Sequence, residues 1–526
     1  MDIMEVYFHR YIAGPVTELS NLKSGRIDPI CYDNPKFLDD IDKSARSVFP
    51  MCSAFQLIVA FVFLYGVNFT VMSWYLFQLE PILAIMPLVI FVPIAVTQLI
   101  RTGAYSDLEE ASAPIRRETH FYQECMGRKE YFKETRTLNA FGYFRHLFDC
   151  ALGIYNKEYW KAERKRGLVD FVSKLMSLAG FALVLWLLID AVWAGRISIG
   201  AFAAVFASIN TMFSLMEELV LRRFGNVVQG FGYIRNFVNF MELPEREGED
   251  VPITLNQGIE VKDVDFQYPG AGKPALTGIN LSIQAGETLA IVGENGSGKS
   301  TLVKLLLGLF LPQSGSIFYD GQDSSKVSGK RLFSRTSAVF QDYQRYKLTI
   351  KDNVAISNLE YAAQQGGFDQ EITHLLNDTT DDVVSRQVDQ SLREMGIDCS
   401  DREKYPEGIN TLLDREFGGI DLSGGQWQKI AIARGLFREH NLIALDEPTA
   451  AIDPVEETRL YKQFMAISRG VTSLIVTHRL GSVRIADRII VMDQGKIVQM
   501  GTHEELVGRP GKYSEMWRAQ AQYYQQ

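Results

Sequence analysis

The sequence lacks the cysteine spacing of a disulfide framework or a metal site. Its five cysteines are scattered along 526 residues without pairing or metal-type intervals, so we expect free thiols in a reducing compartment and assign them no chemistry. A net charge of −9 gives no basic excess, and no nucleic-acid partner is expected. Residues 1–30 carry charges without an apolar core, which predicts no cleavable signal peptide.

Charged residues are almost absent from four long apolar stretches in the first half of the chain. Each stretch is about as long as a helix must be to cross a bilayer. Asp190 is the one charge within them, and its place near the end of the third stretch favours a helix-end role. We predict a transmembrane domain at residues 1–240, in contact with membrane lipid. Its four spans are residues 52–77, 82–100, 175–195 and 197–216.

The distribution of lysine and arginine predicts the orientation of these spans. Residues 101–168, which connect the second and third spans, are rich in both, whereas the two tight loops carry only Arg196. Because basic loops remain in the cytoplasm, we expect a multi-pass protein of the cell membrane, inner or plasma, with this connection inside. Apolar and charged residues alternate over Tyr131–Phe141, which suggests long helices that continue the spans into the cytosol.

A change of composition marks a second domain. Residues 241–258 are acidic and contain prolines, which predicts a linker. The composition of residues 259–526 is typical of a soluble α/β domain. Residues 259–266 alternate polar and apolar side chains, as a half-buried strand does.

A phosphate-binding loop stands inside this second domain. Residues 293–300 fit the pattern G-x-x-x-x-G-K-[ST], between a short apolar strand at 288–292 and a helix at 301–307. Such a loop turns its backbone N–H groups onto phosphate, so a nucleoside triphosphate is the expected ligand. Lys299 should contact the β- and γ-phosphates, and the Ser300 hydroxyl should be a magnesium ligand. The other residues expected to contact the nucleotide are Gly293, Asn295, Gly296, Ser297, Gly298 and Thr301.

A second apolar strand, residues 441–445, ends in Asp446 and Glu447. Parallel strands bring their carboxyl ends to one edge of a sheet, so this strand places two carboxylates beside the phosphate loop. Asp446 can then hold Mg²⁺, and Glu447 can polarise an attacking water.

Residues 422–426, Leu-Ser-Gly-Gly-Gln, resemble the signature motif of ATP-binding-cassette (ABC) proteins. A glycine turn that opens a helix presents Ser423 and backbone donors to an anion. The resemblance implies that Ser423, Gly424, Gly425 and Gln426 contact the γ-phosphate of ATP held by an opposite subunit. Two cassettes would therefore enclose two ATP molecules.

The same resemblance implies roles for four single residues. Tyr268 matches the aromatic residue that stacks on adenine, and Gln341 matches the glutamine that contacts magnesium and senses the membrane half. Asp453 matches the loop that crosses the dimer interface. His478 matches the switch histidine that contacts the γ-phosphate, and with Glu447 and Gln341 it completes the expected catalytic set.

The order of the domains resembles the exporter type, an α-helical transmembrane domain fused to an α/β P-loop ABC nucleotide-binding domain. Residues 32–38 and 133–136 look like parts of cytoplasmic loops that dock on the cassette. Such exporters usually have six spans, and the resemblance implies that this chain starts near the cytoplasmic end of the family's second span. Residues 358–383 read as a polar surface insertion without an assigned role.

These features predict an ATP-hydrolysing transporter that exports its cargo as a dimer of half-transporters. A homodimer is favoured because the phosphate loop, Glu447 and the signature are intact in one chain; a heterodimer is the alternative. Trp427 follows the signature as in lantibiotic and bacteriocin exporters, which favours a peptide over a lipid or another small molecule. A membrane-anchored regulatory ATPase is the rival interpretation, and the four spans argue against a soluble ATPase acting on DNA or ribosomes.

Overall fold

The computed structural model describes residues 9–34, 37, 41, 44, 47–79, 81, 115–358, 382–447, 464, 469–478 and 480–524. The chain divides into two compact units. One comprises Met1–Gly25 and Lys36–Leu243, and the other Arg26–Pro35 and Pro244–Gln526. The predicted span at 82–100 and most of the predicted insertion, residues 359–381, lie outside the described residues.

The first unit is helical in its described part. Two of its helical stretches, Val48–Gln78 and Phe141–Trp193, are long and apolar enough to cross a membrane by length and composition. Three π-helical turns, His9–Ala13, Phe61–Tyr65 and Glu218–Phe224, continue directly into the helices that follow them. The helices are α1 (Gly14–Arg26), α2 (Val48–Ala60), α3 (Gly66–Leu79), α4 (residues 115–127), α5 (Phe132–Thr137), α6 (Phe141–Trp193), α7 (Ile199–Glu217) and α8 (Gly225–Met241).

A cluster of buried apolar side chains joins α3, α6 and α7. Leu76, Leu188 and Val205 form its centre, and each is at most 1% exposed. Asp190 lies near the end of α6, where its carboxylate accepts a hydrogen bond from Arg196 at 2.6 Å. Both side chains are about half exposed, so Asp190 has a helix-end role.

The prediction of a long helix through Tyr131–Phe141 is wrong. Helix α5 ends at Thr137, and Asn139 adopts a left-handed φ of +53°, which interrupts the helical backbone before α6 begins. From Phe141 onward the expectation of a continued span is met. Helix α6 runs for 53 residues through most of the predicted third span without a break.

The second unit contains two sheets. A four-stranded antiparallel sheet has the order β2-β1-β4-β5, and a six-stranded sheet has the order β10-β9-β3-β8-β7-β6. In the larger sheet the strands from β9 to β6 are parallel, and β10 is antiparallel to β9. The strands are β1 (Gly258–Phe266), β2 (Leu276–Gln284), β3 (Thr288–Gly293), β4 (Ser314–Tyr319), β5 (Gln322–Asp323), β6 (Thr336–Val339), β7 (Leu442–Asp446), β8 (Thr472–Val476), β9 (Arg488–Asp493) and β10 (Lys496–Gly501).

Helices cover this larger sheet. They are α9 (Lys299–Leu306), α10 (Gly329–Ser334), α11 (Ile350–Ala355), α12 (Asp382–Glu394), α13 (Gly424–Phe437), α14 (His503–Gly508) and α15 (Lys512–Tyr524). Every residue of β3, β7 and β8 is buried, as expected of parallel strands covered on both faces. Because these three strands are adjacent and parallel, the segments that follow them meet at one edge of the sheet.

A short segment from early in the chain belongs to this second unit. Ile27 forms an antiparallel bridge with Glu245, and the Arg246 amide donates to the Arg26 carbonyl at 3.3 Å. Ile30, in a 3₁₀ turn at Pro29–Asp33, packs against the apolar core beneath the phosphate loop. The unit therefore includes part of the first loop that the sequence predicts to dock on the cassette.

Asp320 fixes the entrance to β1. Its carboxylate accepts hydrogen bonds from the amides of Asn256, Gln257 and Gly258 at 2.8–2.9 Å, and from the Thr254 hydroxyl at 2.9 Å. Partial burial raises the pKa of Asp320, but these hydrogen bonds outweigh it and hold the pKa below its ordinary value. Since the folded-state pKa is depressed, the ionised carboxylate stabilises the fold above the unfolded-state pKa.

We expect Asp320→Asn to lower the free energy of unfolding by about 1–2 kcal/mol at pH 7, because an amide nitrogen would face backbone donors. The deficit should stay constant from about pH 8 to pH 5 and shrink below about pH 4, where the Asp320 carboxylate protonates first in the unfolded chain and then, at lower pH, in the folded one. Thermal unfolding of the purified chain at several pH values measures this. Glu260→Gln, at an exposed carboxylate on β1, is the control. Equal stability of Asp320→Asn and wild type at pH 7 would contradict the assignment.

Candidate nucleotide-binding site

The phosphate loop joins β3 to α9, as the sequence predicts. Gly298 caps α9 in a left-handed conformation with φ +100°. The Lys299 ammonium folds back over the loop and donates to the carbonyls of Gly293 at 3.1 Å and Glu294 at 3.0 Å. Burial lowers the pKa of Lys299, and the carboxylates of Glu447 and Asp446 oppose that shift. The lysine therefore lies in a partly dehydrated site, where a phosphate charge would favour its protonated form.

Ser297 provides a test of whether this loop fits a phosphate. Its side chain is 3% exposed, and its hydroxyl has no hydrogen-bond partner within the described part of the chain. A Cβ at Gly293 would lie 2.7 Å from that hydroxyl and 2.3 Å from the Met492 carbonyl. A buried hydroxyl without a partner is costly, and a phosphate oxygen would satisfy it. The loop thus fits its predicted ligand.

The residues predicted to hold magnesium meet at the edge of the sheet. Ser300, in the first turn of α9, donates its hydroxyl hydrogen to Asp446 at the end of β7, at 3.1 Å. Asp446 is 5% exposed, and burial raises its pKa, opposed by the Ser300 hydrogen bond and reinforced by the charge of Glu447. Hydroxyl and carboxylate oxygens are ligands that Mg²⁺ accepts, and a cation would stabilise this buried carboxylate. The pair therefore fits a divalent cation.

Glu447 and His478 follow two adjacent strands and meet. The His478 Nε2 atom contacts a Glu447 carboxylate oxygen, and the two side chains are 37% and 19% exposed. Glu447 adopts a left-handed φ of +47°, and its amide donates to the Val476 carbonyl at the end of β8, at 3.0 Å. A non-glycine residue in this region is strained, and such strain clusters at functional sites. The strained turn directs the carboxylate toward the histidine.

Tyr268 lies beside the helix that follows the phosphate loop. Its hydroxyl is 3.2 Å from the Thr301 hydroxyl, and its ring packs edge-on against Phe266 and Phe310. The Lys304 ammonium lies 5.7 Å from the centre of the ring. The structure thus places Tyr268 next to the phosphate loop, and its stacking on adenine stays a prediction.

The structure gives less information about two other predicted site residues. Gln341 follows β6 in a segment without regular structure, and its side chain is exposed. Asp453 lies outside the described residues. The roles of both stay predictions.

The signature residues open α13 with reciprocal capping. The Gln426 amide donates to the Ser423 hydroxyl at 3.4 Å, and the Ser423 amide donates to the Gln426 side chain at 2.9 Å. Two tyrosines support this turn. The Gln426 side chain also donates to the Tyr405 hydroxyl at 3.2 Å, and the Tyr343 hydroxyl donates to the Gly424 carbonyl at 3.0 Å. Tyr343 lies two residues after Gln341, so it connects that segment to the signature.

The structure adds residues of α15 that sequence reasoning missed. Lys512 pairs with Asp493 at 2.7 Å and with Glu294 of the phosphate loop at 3.2 Å. Gln520 hydrogen bonds to the backbone of His478 and Leu480. Neither residue belongs to a motif, and the sequence carries no local signal that would identify them.

Comparisons with known proteins agree with this geometry. The family model described as ABC transporter matches residues 276–450, which include the phosphate loop, the signature and Glu447. A solved bacterial Atm1-family ABC exporter with ATP bound shares the fold, with a TM-score of 0.78 and 20% identity over 99% of this chain and 87% of that one. The fold and site define an ATP-binding cassette joined to exporter-type helices.

Similar proteins align with both halves of the chain. The subtilin transport ATP-binding protein of Bacillus subtilis is 28% identical over 92% of this chain and 76% of its own length. The nisin transport ATP-binding protein of Lactococcus lactis is 31% identical, over 82% and 69%. A lipid A-core flippase of Vibrio cholerae is 31% identical over 72% of this chain and 61% of its own length. The chain belongs to the ABC transporter family, whose exporters are membrane proteins.

Two glycines of the phosphate loop provide a matched test of its packing. Gly296 and Gly298 both have positive φ, so an alanine at either costs about 1 kcal/mol in backbone strain. A Cβ at Gly298 would lie 2.9 Å from the Ala275 carbonyl and 2.8 Å from a Leu276 methyl group, whereas none of the described atoms lies within 4 Å of a Cβ at Gly296. We expect Gly298→Ala to lower the thermal midpoint without nucleotide more than Gly296→Ala. Equal midpoints would contradict this packing.

Proposed function

We propose that this ABC exporter acts as a dimer of two such chains, with each phosphate loop facing the signature of the other. The phosphate loop contacts Asp446, whereas Ser423 and Gln426 bond to each other and to Tyr405. The described hydrogen bonds of Ser423, Gly424 and Gln426 are made within this turn and with Tyr343 and Tyr405, and none of them reaches the phosphate loop. A second subunit would give that turn a phosphate to bind.

The cluster of Ser300, Asp446, Glu447 and His478 is the observation that carries the proposed chemistry. Bound Mg²⁺ would neutralise phosphate charge, with Ser300, Asp446 and Gln341 as its protein ligands. Lys299 would hold the β- and γ-phosphates of ATP. Glu447 would orient a water molecule for in-line attack on the γ-phosphate, and His478 would hold both the carboxylate and that phosphate in place. Closure of the two cassettes would then drive the membrane helices between two states.

The proposal also includes the orientation of the chain in the membrane, its partner subunit and its contact with lipid. The basic residues between 101 and 168 support a cytoplasmic location for that connection and for the cassette. One chain holds both the phosphate loop with Glu447 and the signature, which supports a homodimer with two competent sites. Membrane lipid surrounds the spans in this arrangement.

A peptide is the proposed cargo. Relatives over most of the chain are named for transport of subtilin and nisin, and Trp427 follows the signature as in that group. Inverted membrane vesicles that contain the chain should accumulate a labelled subtilin- or nisin-type peptide when ATP is added. Accumulation of a labelled lipid instead would favour the flippase-like alternative. Hydrolysis that responds to neither, without accumulation, would favour a regulatory ATPase.

Glu447→Gln tests the proposed hydrolytic site. We expect this variant to bind ATP with an affinity within about threefold of wild type and to lose at least about 100-fold in turnover, because the amide is not a base. Nucleotide binding and phosphate release measure the two effects separately. Glu439→Gln, at an exposed carboxylate that pairs with Arg335, is the control. Near-normal hydrolysis by Glu447→Gln would refute the role of this residue.

A further inference from the structure

The C-terminal helix α15 holds the backbone that carries His478. The Leu480 amide donates to the Gln520 side-chain oxygen at 2.9 Å, and the Gln520 side-chain nitrogen donates to the His478 carbonyl. One carboxamide thus bonds to backbone groups two residues apart. The Gln520 carboxamide thereby satisfies one backbone amide and one backbone carbonyl of this turn, as a neighbouring β-strand would.

Helix α15 is itself attached to the body of the domain. Tyr513 is fully buried, its hydroxyl is 2.8 Å from His503 Nδ1, and its amide donates to Gln499 at 2.9 Å. At the same end, Lys512 pairs with Asp493 and with Glu294 of the phosphate loop. The helix therefore contacts two loops of the nucleotide site, near its start and near its end.

His478 needs such support because it lies past the end of its strand. Strand β8 ends at Val476, so its ladder of hydrogen bonds does not reach the histidine. Leu480 is fully buried, whereas the His478 side chain is 37% exposed. A catalytic group that is misplaced by about 1 Å can lose about 100-fold in rate. The two hydrogen bonds with Gln520, one accepted and one donated, restrict the backbone of residues 478 and 480 beside the imidazole.

We infer that Gln520 is a positioning residue for the hydrolysis of ATP. It keeps the His478 imidazole against Glu447 by holding the carbonyl of residue 478 and the amide of residue 480. This inference depends on the proposed function, because it needs His478 to act in hydrolysis. It adds to that function a residue of the C-terminal helix that acts through the switch histidine and does not contact the nucleotide.

Gln520→Leu keeps the size of the side chain and removes both hydrogen bonds. We expect kcat for ATP hydrolysis to fall by about fivefold to tenfold, with KM for ATP within about twofold of wild type, because Lys299 and the phosphate loop, which hold most of the triphosphate, lie outside this turn. Gln520→Glu should behave similarly, since a carboxylate would repel the His478 carbonyl. Arg518→Gln, at an exposed position of the same helix, is the control and should keep wild-type kcat.

A double-mutant cycle separates positioning from general destabilisation. In a His478→Ala background, Gln520→Leu should lower kcat by less than about twofold, because the group it positions is gone. A loss of fivefold or more in that background, or a lowered thermal midpoint shared by both Gln520 variants, would show a merely structural role and overturn the inference. Wild-type kcat in Gln520→Leu would also overturn it.

The failure of this inference can be told from failure of the proposed function. If wild type hydrolyses ATP and Glu447→Gln does not, while Gln520→Leu keeps its kcat, the role of Gln520 alone is refuted. If wild type itself binds ATP without hydrolysing it, both proposals fall together.

Discussion

The parallel register of β3, β8 and β7 is the constraint on which the nucleotide site depends. Leu289 pairs with Leu474, and Leu474 pairs with Ala444, so three strands from distant parts of the chain run side by side in one direction. Their carboxyl ends lead into the phosphate loop, His478 and the two carboxylates of Asp446 and Glu447. No one of these segments contains the site, and a shift of one strand would separate Ser300 from Asp446.

The buried strands also explain how the strained residue is tolerated. Glu447 has a left-handed backbone, which costs on the order of 1–2 kcal/mol. Leu442 and Ile443, earlier in β7, are fully buried, and the Glu447 amide bonds to Val476 of β8. Apolar burial supplies about 25 cal/mol for each Å² removed from water, so a few such side chains outweigh the strain. The domain can therefore hold the Glu447 carboxylate in an unfavourable backbone conformation.

The nucleotide site was predictable where local signals and general fold rules agree. The phosphate loop is a continuous motif between a strand and a helix, and the rule for parallel strands brings Asp446 to it across 146 positions. Gln520 could not be found in this way. It reaches His478 across 42 positions through a hydrogen bond to the backbone, which demands no particular residue type at position 478.

In the membrane half too, the long apolar runs of the sequence predict the helices, whereas a local backbone conformation is not predicted. Long uncharged runs predict helices because a bilayer requires them, and α6 and α7 cover most of the third and fourth predicted spans. The turn at Asn139 was missed, since an asparagine in the left-handed region fits within an otherwise helical pattern. The grouping of residues 26–35 with the C-terminal unit depends on contacts such as Ile27 with Glu245, which no local pattern reveals.

The length of α6 has a mechanical consequence. A helix of 53 residues rises about 80 Å, and it is described as one α-helix without a π-helical turn. A tilt of about 10° around one end would displace the other end by about 14 Å, a distance obtained from that rise. A modest angular change at one terminus of α6 is thus amplified into a large displacement at the other, as by a lever.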